Sequence, residues 1–278
     1  MVCYYNKLGV TRELQEMYSF GIIPGFHTPD WAKGATIYQV FPDRFYASGR
    51  ADVTGKLKPY TIHKNWYDEV DWKPTPDGQV LNNDFFGGNF RGITEKMDYI
   101  ADLGVTILYL NPISKSFSSH RYDTGDYKTP DPLLGTEADF AALCDAAHAR
   151  GIRVILDGVF NHCGSFNKWL DRERIYEAGK GYEPGAYVAQ DSPYHTFFKF
   201  YNEHNWPYNE FYDGWWGHDT LPKLNYEGSE KLMEDIMRIG AKWVSPPFNA
   251  DGWRLDVAAD LGHSPEFNHK FWKEFRRV

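Results

Sequence analysis

The sequence is poor in cysteine and lacks an obvious secretion signal. Only three of its 278 residues are cysteine, at positions Cys3, Cys144 and Cys163. An odd number cannot pair completely within one chain, which argues against a disulfide-built fold and favours a reducing compartment. The first eight residues contain no apolar stretch of the kind that signal peptides carry. The sequence therefore predicts a cytoplasmic protein.

Positive charge and long apolar runs are also scarce. Acidic residues outnumber basic ones by 38 to 30, and the formal net charge is −8. Non-specific nucleic-acid binding needs an excess of cationic surface, so we expect no nucleic-acid partner. No run approaches the roughly 18 apolar residues that a membrane-spanning helix requires, so we expect no membrane partner either.

Aromatic residues, by contrast, are abundant: 10 Trp, 19 Tyr and 19 Phe, or 17 % of the chain. Composition alone favours a large aromatic core. The alternative is a set of stacking platforms for a flat, hydroxyl-rich ligand, and composition does not exclude it.

Strand and helix patterns alternate along the chain. We predict strands over 36–41, 105–110, 152–157 and within 248–256, and helices over 93–103, 136–150, 229–239 and 265–278. This alternation predicts an α/β fold with a parallel sheet. Without the long insertions at 43–89 and 164–221, about four βα units remain, enough for an open sheet or half of an eight-stranded barrel.

Polar residues follow two of the predicted strands, at the edge where ligands bind in parallel α/β folds. Asp157, Asn161 and His162 follow the third strand, and Arg254 and Asp256 follow the fourth. Because Arg254 and Asp256 are two residues apart on a strand, they face the same way, and the cation favours the ionised carboxylate. Such a carboxylate can serve as a nucleophile, although a structural ion pair is the competing interpretation.

These clusters belong to a longer ordered set. It comprises Asn111-Pro112, His120 with Tyr122-Asp123, Asp157 to His162, Leu221-Pro-Lys-Leu-Asn225 and Gly252 to Asp256, together with Tyr38 to Phe45 and Phe85 to Asn89. The set resembles the motifs of the α-amylase superfamily of glycoside hydrolases. Leu221 to Asn225 is similar to the neopullulanase, cyclomaltodextrinase and maltogenic amylase branch. The resemblance extends from about position 29 to the end of the sequence.

The resemblance implies a fold and a domain division. The family fold is a (β/α)8 TIM barrel with a domain B inserted after the third strand, so we expect this chain to form the N-terminal half of such a barrel. The expected division is a lead-in arm at 1–35, barrel strands 1–3 with their helices at 36–163 and domain B at 164–221. Barrel helix 3, strand 4 and helix 4 would then occupy 222–278.

The resemblance also implies a function. It identifies a retaining glycoside hydrolase of α-1,4, and also α-1,6, glucosidic bonds in starch-derived oligosaccharides, cyclodextrins or pullulan. Asp256 would be the nucleophile and Arg254 would keep it ionised. The sugar under attack would be held by the remaining four site residues, His120, Tyr122, Asp157 and His162. Trp206, Trp215 and Trp216 would offer further stacking surfaces for the α-glucan.

Three departures from the family pattern limit these expectations. The family's acid, a Glu after strand five, and its third carboxylate, after strand seven, have no counterpart in the 22 residues that follow Asp256. We therefore expect this chain alone to be inactive, and either to self-associate or to work with a C-terminal half. Inward side chains such as Ile107, Tyr109 and Val154 would otherwise lack an opposing layer. A non-catalytic carbohydrate-binding homologue is the alternative.

The second departure concerns specificity, and the third concerns metal. The branch usually reads Val-Ala-Asn-Glu after the nucleophile, on the leaving-group side, whereas this chain has Val257-Ala-Ala-Asp260. The branch often binds Ca²⁺ between a loop after strand one and a Gly-Gly-Asp. Here Arg50 lies in that loop and Asn89 replaces the Asp, although Ca²⁺ prefers several anionic oxygen ligands. We expect no required cofactor, with Ca²⁺ at this loop as the alternative.

Overall fold

The structure is a computed structural model. It describes residues 2–21, 24–25, 27–49, 52–56, 58–176, 180–201 and 211–278. The chain divides into two compact units, Met1–Ala35 and Thr36–Val278. In the first unit, strand β1 (Tyr4–Asn6) pairs antiparallel with strand β2 (Gly9–Thr11). The sequence did not predict this hairpin, because three-residue strands are too short to show a period of two.

The second unit is built around a parallel sheet. Its strands are, in chain order, β3 (Ile37–Val40), β4 (Thr61–Ile62), β5 (Asp84–Phe85), β6 (Ile107–Leu110), β7 (Ser114–Ser116), β8 (Thr124–Pro130), β9 (Arg153–Gly158) and β10 (Gly252–Leu255). Four of them, in the spatial order β3, β6, β9, β10, form the parallel sheet. These are the four predicted strands, and the α/β half-barrel fold is confirmed.

Helices connect the strands of this sheet. They are α1 (Phe90–Glu95), α2 (Met97–Asp102), α3 (Glu137–His148), α4 (Glu230–Trp243) and α5 (Pro265–Arg277). Side chains of Thr136, Ser229 and Ser264 cap the last three, each accepting a hydrogen bond from a backbone N–H of the first turn. None of the helices in the described ranges is both long and apolar enough to cross a bilayer.

One predicted helix differs from the structure. The helix expected over 93–103 begins earlier, after the Asn89 cap. It is also interrupted at Lys96 (φ −96°, ψ 10°), so two helices form instead of one. The Thr94 hydroxyl donates to the Phe90 carbonyl, a bond that competes with the helical pattern and bends helices. Gly104, at φ +73°, follows the second helix in the left-handed conformation that commonly ends helices.

The two faces of the sheet have different surroundings. Leu108, Leu110, Val154 and Leu156 lie on the outer face and are buried in the core that also contains the helices. Each such burial stabilises the fold by about 1.5–3 kcal/mol. Val154 had been expected to point inward, but the register pairs it with Leu108, so that expectation is wrong.

The inner face of the sheet is more open. Ile37, at the edge of the sheet, is 61 % exposed, and Tyr109 and Ile155 are half-buried. Ile107 is buried although it faces inward. Register places these side chains on the same face as Arg254.

The motifs Tyr38 to Phe45 and Phe85 to Asn89 pack against each other after strand β3. The Asp43 carboxylate accepts hydrogen bonds from the backbone N–H groups of Phe86 and Gly87, at 3.0 and 3.1 Å. A Cβ on Gly88 would lie 2.1 Å from the carbonyl oxygen of Pro42, so only glycine fits there. The chain at 85–89 is thereby fixed to the end of β3.

The segment 164–221 contains short turns and one isolated antiparallel bridge, Phe200 with Tyr212, and a second bridge joins its Gly214 to Pro222 just beyond it. Its described residues carry no α-helix and no strand of the sheet. The domain boundaries expected within 36–278 stay a prediction.

Candidate active site

Two carboxylates share one guanidinium at the C-terminal edge of the sheet. Arg254 Nη1 donates to Asp256 Oδ1 at 2.7 Å, and to Asp157 Oδ1 and Oδ2 at 3.1 and 3.2 Å. Asp157 and Arg254 are register partners on the adjacent strands β9 and β10, and Asp256 follows β10 directly. The sequence placed Arg254 and Asp256 on one face and Asp157 at the same edge of the sheet, and in the structure Arg254 bonds both carboxylates.

Two tyrosines complete the surroundings of Asp157. Tyr122, in the loop between β7 and β8, donates its hydroxyl to Asp157 Oδ2 at 2.9 Å. Tyr109, on β6, donates to the same oxygen. The role of Tyr109 was missed, although its position on the inner face at the end of a strand was a usable signal.

Burial and the neighbouring charged and hydrogen-bonding groups both shift the pKa values at this site, in opposite directions for Asp157 and Arg254 and in the same direction for Tyr122. Burial raises the pKa of Asp157, while the bonds from Tyr109, Arg254 and Tyr122 oppose that rise. The pKa of Tyr122 is raised to about 12, first by burial and then by the Asp157 charge. Burial lowers the pKa of Arg254, but the bonds to Asp256 and Asp157 outweigh it and the net shift is upward. The site therefore keeps a permanent cation between two carboxylates.

The two predicted histidines lie beside this group. His120 has its ring centroid 5.9 Å from that of Tyr122, and its Nδ1 accepts a hydrogen bond from the Tyr122 backbone N–H at 3.1 Å. His162 is 1 % exposed and stacks on Trp215, with ring centroids 5.3 Å apart and planes 20° apart. Burial lowers the pKa of both histidines, that of His162 to about 4. Both imidazoles are therefore neutral near pH 7.

One ring nitrogen of His162 has no hydrogen-bond partner among the described residues. Its Nδ1 lies 3.2 Å from Asn161 Nδ2, whereas its Nε2 is buried without a hydrogen-bond partner within the described part of the chain. Leaving such an atom unpaired costs about 1–3 kcal/mol. A hydroxyl-bearing ligand would supply the missing partner.

The predicted stacking residues divide into three cases. Trp215 contacts His162 and is half-buried. Trp216 is 81 % exposed and has φ +52°, a strained left-handed conformation for a bulky residue. Trp206 lies outside the described residues. Stacking of sugar on these rings stays a prediction.

The oxygen atoms at the loop named as the alternative Ca²⁺ site already have hydrogen-bond partners within the protein. Asn89 Nδ2 donates to the Ser48 carbonyl at 2.7 Å, and Asn89 Oδ1 accepts from the Gly92 N–H at 2.8 Å. These oxygens are used within the protein, whereas Ca²⁺ requires six to eight oxygen ligands. Arg50 lies outside the described residues. Over the described ranges, no group of three or more His, Cys, Asp or Glu side chains could hold a metal ion. Independence from a cofactor stays a prediction.

Fold and site together define a barrel-type α/β protein with a carboxylate-based polar site at the C-terminal ends of its strands. A sequence model described as the α-amylase catalytic domain matches residues 39–277. The chain belongs to this family.

Relatives of known identity agree with this assignment. The chain is 40 % identical over 281 residues to an amylopullulanase of Thermoanaerobacter thermohydrosulfuricus, covering 90 % of this chain and 18 % of that protein. It is 34 % identical over 285 residues to an intracellular maltogenic amylase of Bacillus subtilis, covering 100 % of this chain and 41 % of that protein. The type III pullulan hydrolase of Thermococcus kodakarensis superposes with a TM-score of 0.71 at 32 % identity, over 99 % of this chain and 47 % of that one. The chain thus spans less than half the length of each of these three.

Proposed function

We propose that this chain carries the nucleophile and the sugar-binding residues of a retaining α-glucan hydrolase. The substrates would be starch-derived oligosaccharides, cyclodextrins or pullulan, cleaved at α-1,4 and also α-1,6 bonds. The observation that carries the proposal is the guanidinium of Arg254, which bonds Asp256 and Asp157 at once. Family membership, and relatives named amylopullulanase and maltogenic amylase, support it.

In this mechanism Asp256 attacks the anomeric carbon of the bound sugar. The bond from that carbon to the glycosidic oxygen breaks as the ester to Asp256 forms, and a second carboxyl group protonates the departing oxygen. Water then attacks the same carbon, loses its proton to the second carboxylate and releases Asp256, which restores both carboxyl groups. Before the attack, Arg254 donates a hydrogen bond to Asp256 Oδ1 and places its positive charge beside that carboxylate. Asp157, His120 and His162 would bind sugar hydroxyls, and Tyr122 would stack on the ring.

The proton donor must be a different residue. Asp157 accepts hydrogen bonds from Tyr109, Tyr122 and Arg254, so its oxygens act as acceptors. We propose that the acid is the family's Glu after a fifth strand, which has no counterpart among these 278 residues, and that this chain hydrolyses nothing by itself. A cytoplasmic location is proposed on the unpaired Cys144 and Cys163, both buried, and on a relative named intracellular.

The test is Asp256→Asn in a catalytically active protein that contains these 278 residues. Turnover of maltotriose and β-cyclodextrin should fall by at least about a thousandfold, because the amide cannot form the ester. A slow fluorinated glucosyl fluoride should label Asp256, as seen by mass spectrometry of the peptides. Asp30→Asn, at an exposed carboxylate, is the matched control. Label on another residue, or sugar binding without any turnover, would reject the proposal.

A further inference from the structure

The loop that follows the nucleophile is joined to the end of the segment 164–221 at two points. The Trp215 indole Nε1 donates to Asp260 Oδ2 at 2.9 Å. Three residues further on, His263 Nε2 lies 3.0 Å from Asp213 Oδ2. The loop begins directly after Asp256, so these contacts connect the nucleophile's loop to the strip of chain at 213–215.

The indole that Asp260 holds is the ring that covers His162. The Trp215 and His162 rings lie nearly parallel, 20° apart, with centroids at 5.3 Å. The Trp215 backbone is fixed separately, since its N–H donates to the Leu221 carbonyl at 2.9 Å. The bond from Nε1 to Asp260 therefore selects the side-chain rotamer and, with it, the plane of the indole.

We propose that Asp260 is a positioning residue that holds the Trp215 indole flat against His162. Asp260 acts on the sugar only through these two rings. The indole holds the His162 ring so that its unpaired Nε2 can bond a ligand hydroxyl. That the ligand is a sugar rests on the proposed function. The competing role for Asp260, implied by its position after the nucleophile, is direct contact with the leaving-group sugar. A carboxylate already accepting from an indole N–H at 2.9 Å favours the indirect role.

A histidine titration by NMR, in the same catalytically active protein that contains these 278 residues, tests the proposal without substrate, with the His162 signal assigned through His162→Gln. The indole shields the His162 imidazole, whose pKa burial lowers to about 4. Asp260→Ala and Trp215→Phe should each raise that pKa toward the ordinary value of 6.5, because water then reaches the ring and stabilises its charged form. Asp260→Asn retains an oxygen acceptor for the indole and should titrate like the unmodified protein.

The double variant separates the two roles of Asp260. If Asp260 works through the indole, adding Asp260→Ala to Trp215→Phe should change neither the His162 titration nor kcat/KM further. Each single change should lower kcat/KM by about tenfold, with rescue by Asp260→Asn. The matched control is Glu69→Ala, which removes the carboxylate acceptor of another indole, Trp72.

Two outcomes would overturn the proposal. One is a His162 pKa that stays at its original value in both Trp215→Phe and Asp260→Ala. The other is a KM effect of Asp260→Ala that persists undiminished in the Trp215→Phe background, as direct sugar contact requires. If Asp260→Ala does not fold, the His162 pKa is compared between Trp215→Phe, where it should rise, and Asp260→Asn, where it should stay at its original value. A protein that shows the expected titrations but hydrolyses no α-glucan would reject the proposed function and leave the role of Asp260 intact.

Discussion

At the scale of single residues, Asp157 shows how the site balances burial against hydrogen bonding. Its carboxylate accepts from Arg254, Tyr122 and Tyr109. Burial favours its protonated form, and the three donors favour its ionised form. Removing any one donor therefore moves its pKa upward.

Tyr109→Phe isolates one of these donors. The hydroxyl of Tyr109 stabilises the Asp157 carboxylate, so its loss should raise the pKa of Asp157 further above the ordinary value. If sugar binding needs the ionised form, the acid limb of the profile of kcat/KM against pH should move to higher pH. At the pH of the original acid limb, kcat/KM should fall by about tenfold or more. Tyr67→Phe, at an exposed ring, is the control. An acid limb that stays in place or moves to lower pH would contradict this account.

The sequence predicted Asp157, Arg254 and Asp256 as neighbours because alternation along a strand and adjacency of strand ends suffice for that. It did not predict the bonds of Tyr109 and Asp260. Both depend on side-chain reach between segments that are distant in sequence, 48 residues for Tyr109 to Asp157 and 45 for Trp215 to Asp260. Local patterns carry no information on such pairs.

At the scale of elements, a buried lysine joins the insertion after β3 to the hairpin of β7 and β8. Lys56 Nζ donates to the Ser116 carbonyl at 2.8 Å and to Asp131 Oδ2 at 2.9 Å, and the Lys56 and Asp131 side chains are both fully buried. The loop of this hairpin carries His120 and Tyr122. Lys56 therefore fixes the support of two proposed sugar-binding residues.

Lys56→Met should destabilise the protein by about 3–5 kcal/mol, because it leaves the buried Asp131 carboxylate without its closest cation. Arg121 Nε remains 3.6 Å from Asp131, which favours the lower end of that range. Urea denaturation measures the loss. Lys56→Met with Asp131→Asn should recover part of it, and Arg150→Met, at an exposed pair with Asp98, should cost no more than about 1 kcal/mol. A loss no larger than that of Arg150→Met would show that the buried pair does not hold the hairpin.

The hairpin itself was not predicted. Its strand β8 contains Gly125 and Pro130, and its pairing with β7 shifts register twice, so no regular alternation marks it in the sequence. The helices α3 and α5 were predicted more closely. Their caps, Thr136 and Ser264, and the glycine that follows α3, Gly151, are local signals.

At the scale of the whole molecule, the count of four βα units predicted an open sheet or half a barrel, and the resemblance to the family favoured the half barrel. The four-stranded parallel sheet agrees with that count. Among the described residues, β3 and β10 each have one edge without a strand partner in this sheet. The inner face exposes Ile37 and part of Ile155. Exposed strand edges next to apolar side chains favour association.

Residues 1–278 expressed alone should therefore form oligomers or precipitate, and should not hydrolyse maltotriose or β-cyclodextrin. Sedimentation velocity over a range of concentrations measures the association. Ile37→Lys places a charge on the exposed inner face and should shift the distribution toward monomer, because burying that charge between copies is unfavourable. Leu8→Lys, at an equally exposed leucine of the first unit, should leave the distribution unchanged. If the open inner face causes the association, a separate chain that supplies the other four βα units of a family barrel should form a one-to-one complex and restore hydrolysis. A stable monomer that hydrolyses either sugar by itself would instead place both the proton donor and a closed core within these 278 residues.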